Sequence, residues 1–100
     1  MTDNNDEKYI WVFNGDNAKL PSGVFSDLQK AEEWIKKNNL AGILTRYPID
    51  IGAYDWAIKK GYFKTKGDPS KMTSQFIQGF TSASLEHNHY EHNYDFEFGD

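Results

Sequence analysis

The stretch YIWVFNGDNAKLPSGVF, Tyr9–Phe25, decides the fold. In its first part Tyr9, Trp11 and Phe13 alternate with Ile10 and Val12. That is the period of a strand, whose side chains point to opposite faces in turn. Both faces are apolar, and such a strand belongs in the middle of a sheet, covered on either side. NGDNAKLPSG is full of turn formers. GVF, residues 23–25, then reads as a short hairpin partner. The chain opens with an antiparallel pair, and the rest of the fold must extend that pair and cover it.

Downstream, Leu28, Ala31, Trp34 and Ile35 recur at helical spacing and form one apolar stripe. Ser26 with Gln29 three residues later has the form of a capping box. Asp27 places negative charge where the helix dipole favours it. The helix ends at Asn38-Asn39, residues that tolerate the left-handed conformation beyond a helix C-terminus. GILTRYPI is a third strand, ended by Pro48. Strand, helix and strand from Val24 to Tyr47 fit a right-handed parallel crossover. A second helix is predicted over Ala53–Lys60 with Gly61 as its stop, and YFKTKGDPSK is loop. SKMTSQFIQGF reads as a third short helix with Met72, Phe76, Ile77 and Phe80 as its stripe, weakened by Gly79.

The tail has the cleanest period. Tyr90, His92, Tyr94, Phe96 and Phe98 alternate with Glu91, Asn93, Asp95 and Glu97. This predicts an amphipathic last strand from Ala83 to about Phe96. The order is ββαβααβ. The expectation is an α+β (or small α/β) domain: a mainly antiparallel or mixed sheet of about four strands with two to three helices. Residues 1–8 read as a disordered arm and 9–100 as a single compact domain.

Composition narrows the function classes. Seven Phe, six Tyr and three Trp in 100 residues supply a core of large rings. The absence of cysteine excludes a disulfide scaffold, a thiolate zinc site and a cysteine nucleophile. It also favours a reducing compartment. MTDNNDEK lacks the basic and apolar regions of a signal peptide, and no apolar run approaches a membrane span. A cytoplasmic address and no membrane partner are expected. The formal charge of −4 argues against nucleic acid, whose binders carry a basic surplus. The chain is dipolar all the same. Lys59, Lys60, Lys64, Lys66 and Lys71 face only Asp68, and the tail carries Glu91, Asp95, Glu97 and Asp100. Such a charge distribution steers a charged protein partner, or else is solvated surface.

Three constellations can carry chemistry. In SLEHNHYEHNYDFEF, His87 and His89 lie two apart with Glu91 in step, so H-x-H-x-E shares one strand face. Two imidazoles and a carboxylate suit a divalent metal with open positions. The plainer reading is a polar solvent-facing strip, with His92 a packed, hydrogen-bonded ring. TRYPIDIGAYDW gathers Arg46, Tyr47, Asp50, Tyr54 and Asp55 near a strand end and a helix start. Arg46 can clamp a carboxylate or phosphate, and the two Asp can act as an acid–base pair. The plainer reading is a helix cap, core aromatics and a polar strand face. Tyr90, Tyr94, Phe96 and Phe98 form an aromatic face that either meets a partner or a second copy, or lies under a helix. No phosphate-loop, dinucleotide or serine-elbow spacing occurs.

WVFNGDNAKLPSGVF, AEEWI, GILTRYPIDIGAYDWAIKKGYF and FTSASLEHNHYE together resemble a family of small bacterial proteins of unknown function. The resemblance covers nearly the whole chain after the first eight residues. It implies a bacterial, cytoplasmic, single-domain protein and assigns no activity, cofactor or site residue. From the residues, the leading expectation is a non-catalytic acidic protein-interaction domain without cofactor, an inhibitor- or immunity-type partner of a basic protein. The alternative is a small-molecule or divalent-metal-binding domain, with or without enzymatic activity. It would use His87, His89 and Glu91, or Arg46, Asp50 and Asp55.

Overall fold

Strand β1 (Tyr9–Gly15) pairs antiparallel with β2 (Gly23–Phe25), setting Trp11 opposite Phe25 and Val12 opposite Val24. Strand β3 (Gly42–Pro48) pairs antiparallel with β4 (His87–Tyr90), setting Gly42 opposite Tyr90 and Leu44 opposite Asn88. The structure, a computed structural model, describes residues 8–92. Within them the sheet is antiparallel with order β2-β1-β3-β4, and the fold is α+β. β1 is internal, as its two apolar faces require. The segments before and after the first helix run in the same direction, but β1 lies between them. The crossover expected from Val24 to Tyr47 therefore makes no parallel pair, and the sheet is not mixed.

The chain divides into two compact units. The sheet unit comprises Tyr9–Tyr47 and the chain from Glu86; the other, here the aromatic unit, takes Lys8 and Pro48–Leu85.

In the sheet unit, α1 (Leu28–Lys37) lies against one face of the sheet. Trp11, Phe13 and Leu44 from the strands meet Ala31 and Ile35 from the helix, with Trp34, Phe25, Leu28, Leu40 and Tyr90 packed around them. Burying a side chain such as Ile35 or Leu44 contributes about 1.5–3 kcal/mol. Trp34 sits between two rings, edge-on to Phe13 at 5.8 Å and tilted against Phe25 at 5.3 Å. The N-cap is Asp27, whose carboxylate accepts the Gln29 N–H at 2.7 Å; the expected Ser26–Gln29 box does not form. Asp27 has the extended backbone a cap needs, and its charge adds to the dipole. Asn39, with φ of 53°, supplies the left-handed stop. The Leu40 N–H then reaches the Ile35 carbonyl and the Asn39 N–H that of Lys36, the two bonds of a Schellman motif. Gly42 is required by proximity: a Cβ there would lie 2.4 Å from the Asn14 carbonyl oxygen.

In the aromatic unit, α2 (Ala53–Lys59) ends in the same motif, with Gly61 at φ 82° and the Tyr62 N–H on the Ala57 carbonyl. A single 3-10 turn, Pro69–Lys71, is capped by Asp68, which accepts from the Ser70 backbone and hydroxyl at 2.9 and 2.8 Å. The last helix, α3 (Ser74–Gln78), begins where Thr73 accepts the Phe76 N–H. Starting there, it leaves Met72 outside the helix. The four-residue stripe is accordingly not realised: Met72 and Ile77 are exposed, while Phe76 and Phe80 turn in on Tyr54 and Phe63. Tyr54 is buried and donates its hydroxyl to the Lys71 carbonyl at 2.8 Å. β4 is shorter than expected. The Ser82 hydroxyl accepts the Ser84 N–H and its carbonyl the Leu85 N–H, a local turn that competes with strand pairing. The tail beyond His92, including the predicted strand positions Tyr94 and Phe96, lies outside the described residues.

Candidate functional site

Strand alternation sorts the sheet unit into two unlike faces. Trp11, Phe13, Leu44 and Tyr90 turn toward α1. Ile10, Val12, Val24, Ile43, Thr45 and Tyr47 stand on the other face by parity, and His87 and His89 join them on β4. This second face is not fully covered. Val24 is 58 % exposed and Ile43 38 %, while Ile10, Val12 and Tyr47 are half-buried. The expectation that β1 is covered on both sides holds for the Trp11 face alone. Ile43 pairs with His89 and Thr45 with His87, so the imidazoles border an apolar strip.

His87 and His89 lie with ring centroids 5.4 Å apart, edge to face. Glu91 is exposed beyond the strand end. Among the described residues no group of three or more His, Asp or Glu side chains is arranged to hold a metal ion. The three candidate ligands thus yield a histidine pair and not a ligand set. His92 donates from Nδ1 to the Asn39 carbonyl at 2.8 Å; the ring is hydrogen-bonded as expected, but it is exposed and not packed.

Of the expected aromatic face, Tyr90 turns inward. Its hydroxyl donates to Glu32 on α1 at 2.8 Å. Burial first, and then the Glu32 carboxylate, push its pKa up to about 12. Tyr94, Phe96 and Phe98 lie outside the described residues.

The residues of the Arg46 group are divided between the two units. In the sheet unit, the Arg46 guanidinium lies 3.9 Å over the Tyr9 ring and 3.4 Å from Glu86, a partly exposed pair. Tyr47 is half-buried there. In the aromatic unit, Tyr54 is core and Asp55 is exposed in the first turn of α2. Asp50, in the left-handed region at φ 69°, lines a recess of about 280 Å³ with Lys8, Ile49, Ile51, Trp56 and Lys59. Trp56 is buried, and its indole N–H meets no acceptor among the described residues. The aromatic unit also has a wider groove of about 530 Å³ lined by Tyr62, Phe63, Phe76, Gly79 and Phe80, with Gln75 and Ser82 at its polar side.

A family model described as a domain of unknown function, DUF7710, matches residues 10–95. The chain belongs to that family. The match reaches from β1 past β4, so the DUF7710 domain includes both units. No curated protein and no solved structure matches this DUF7710 chain. None of its described helices is long and apolar enough to cross a membrane.

Two features of this DUF7710 domain escaped sequence reasoning. The open sheet face was legible as alternation, but no local signal says which face a helix will cover. The groove joins Tyr62 and Phe63, read as loop, to Phe76 from α3 and Phe80 just beyond it. Only the density of rings between Tyr54 and Phe80 pointed to it.

Proposed function

We propose that this chain is a non-catalytic protein-interaction domain of the bacterial cytoplasm, an inhibitor- or immunity-type partner of another protein. The observation that carries this reading is the sheet face opposite α1, where Val24 and Ile43 present aliphatic side chains to solvent. Exposed apolar area of this kind loses about 25 cal/mol for each Å² left in water, a loss that docking reverses. Ile10, Val12 and Tyr47 continue the patch, and Tyr is a frequent interface anchor. The imidazoles of His87 and His89 give it a polar border. The acidic surplus of the whole chain steers a basic partner toward it.

The test is affinity capture of the full chain from an extract of its own host, read by mass spectrometry. A protein recovered in stoichiometric amount by the wild type is expected to be lost with Ile43→Lys and with Val24→Lys, both of which retain the wild-type circular dichroism spectrum. Recovery of no such protein, or recovery unchanged in both variants, overturns the reading.

A further inference from the structure

The acid of this chain is not spread evenly. All 11 basic residues stand within residues 8–92, with nine of the 15 acidic ones, so the described residues carry a formal charge of +2. The remaining acids are Asp3, Asp6 and Glu7 at one end and Asp95, Glu97 and Asp100 at the other. Among the described residues the aromatic unit is the most basic part. Lys8, Lys59, Lys60, Lys64, Lys66 and Lys71 stand there against Asp50, Asp55 and Asp68.

The groove of that unit is floored by rings. Phe63 stacks on Phe76 at 5.8 Å and meets Phe80 edge-on at 5.0 Å. Tyr62 stands 57 % exposed at its margin, and Lys60 and Lys64 flank the Tyr62–Phe63 pair in sequence. Gly79 leaves the groove without a side chain at one wall. An occupant suited to this surface brings aromatic side chains for the rings and carboxylates for the lysines. It is a short acidic, aromatic peptide. The chain contains one such segment: NYDFEFGD, residues 93–100, alternates Tyr94, Phe96 and Phe98 with Asp95, Glu97 and ends in Asp100.

We infer that residues 93–100 of one copy dock in the Phe63–Phe76–Phe80 groove of a second copy. The exchange is reciprocal, each copy's segment filling the other's groove, and in that form it closes as a two-fold dimer. The face used is distinct from the open sheet face.

The experiment is sedimentation equilibrium of the full chain over a concentration series. The expected result is a mass rising from one chain to two. Phe96→Ser with Phe98→Ser removes the aromatic anchors without touching the described residues. Gly79→Leu fills the groove; its φ is −103° and a Cβ there meets only the Gln75 carbonyl at 3.6 Å, so the backbone accepts it. Each variant alone is expected to weaken association at least tenfold. An equimolar mixture of the two is expected to regain association, because one supplies the groove and the other the segment. A wild type that stays monomeric at every concentration overturns the inference. So does a dimer that both variants form as well as the wild type, or a mixture that associates no better than either variant alone.

Discussion

Tyr90 shows how one side chain on an edge strand is drawn to the core. Its ring packs against the cluster under α1 while its hydroxyl reaches Glu32, two roles that neither Asn88 nor His89 can fill. The pKa of about 12 against 10.0 for an ordinary tyrosine ties this contact to pH. Below about pH 10 the phenol is protonated in both folded and unfolded chains, and its contribution is fully present. Between about pH 10 and 12 the unfolded chain ionises first, so stability is lost as the pH rises through that window. Tyr90→Phe is expected to cost about 1 kcal/mol at pH 7, the usual worth of a partly buried hydrogen bond. The stability difference between wild type and variant, followed by urea denaturation from pH 7 to 12, should shrink toward the upper limit. A difference that stays constant across the series removes the argument.

The helix α1 separates local signals that a sequence states clearly from those it leaves ambiguous. Asp27 and Ser26 are both good caps and sit side by side; the structure uses Asp27. Asp27→Ala is expected to lower stability by about 1 kcal/mol and Ser26→Ala by a few tenths, measured as shifts in denaturation midpoint. The reverse order of costs would place the cap at Ser26. The body of the helix was legible because Leu28, Ala31, Trp34 and Ile35 repeat at the helical period. Its end was legible because Asn39 needs only local freedom to turn left-handed. β1 as an internal strand was legible for the same reason of period. What could not be read locally were competitions between neighbours. The Ser82 turn took residues from the start of β4, and Thr73 started α3 one residue beyond Met72. Nothing local tells how one compact run of sequence is divided between two units. Arg46, Asp50 and Asp55 are close in sequence, but Arg46 bonds across the sheet to Glu86 while Asp50 lines a recess with Lys8 and Trp56.

At the scale of the whole molecule, the full chain and residues 8–92 carry net charges of opposite sign. The full chain has an isoelectric point near 5.3 and should be retained by an anion exchanger at pH 7. A chain restricted to residues 8–92 should pass through it and be retained by a cation exchanger, since its formal charge is +2. Retention of both on the anion exchanger would show that the end segments do not set the sign. Connectivity has a further consequence. β3 and β4 are the two arms of one hairpin, closed where the Arg46 N–H meets the Glu86 carbonyl, and the Pro48–Leu85 part of the aromatic unit is the loop between them. Loop-closure entropy rises only with the logarithm of length, so a loop of about forty residues closes at a cost only about 2 kcal/mol above that of a four-residue turn. The hairpin is therefore a tolerant insertion point, and exchanging the insert for a short turn leaves the strand order unchanged. It also sets the order of events on the ribosome: β1, β2 and β3 can be assembled while the insert is still being made, and β4 joins the sheet last.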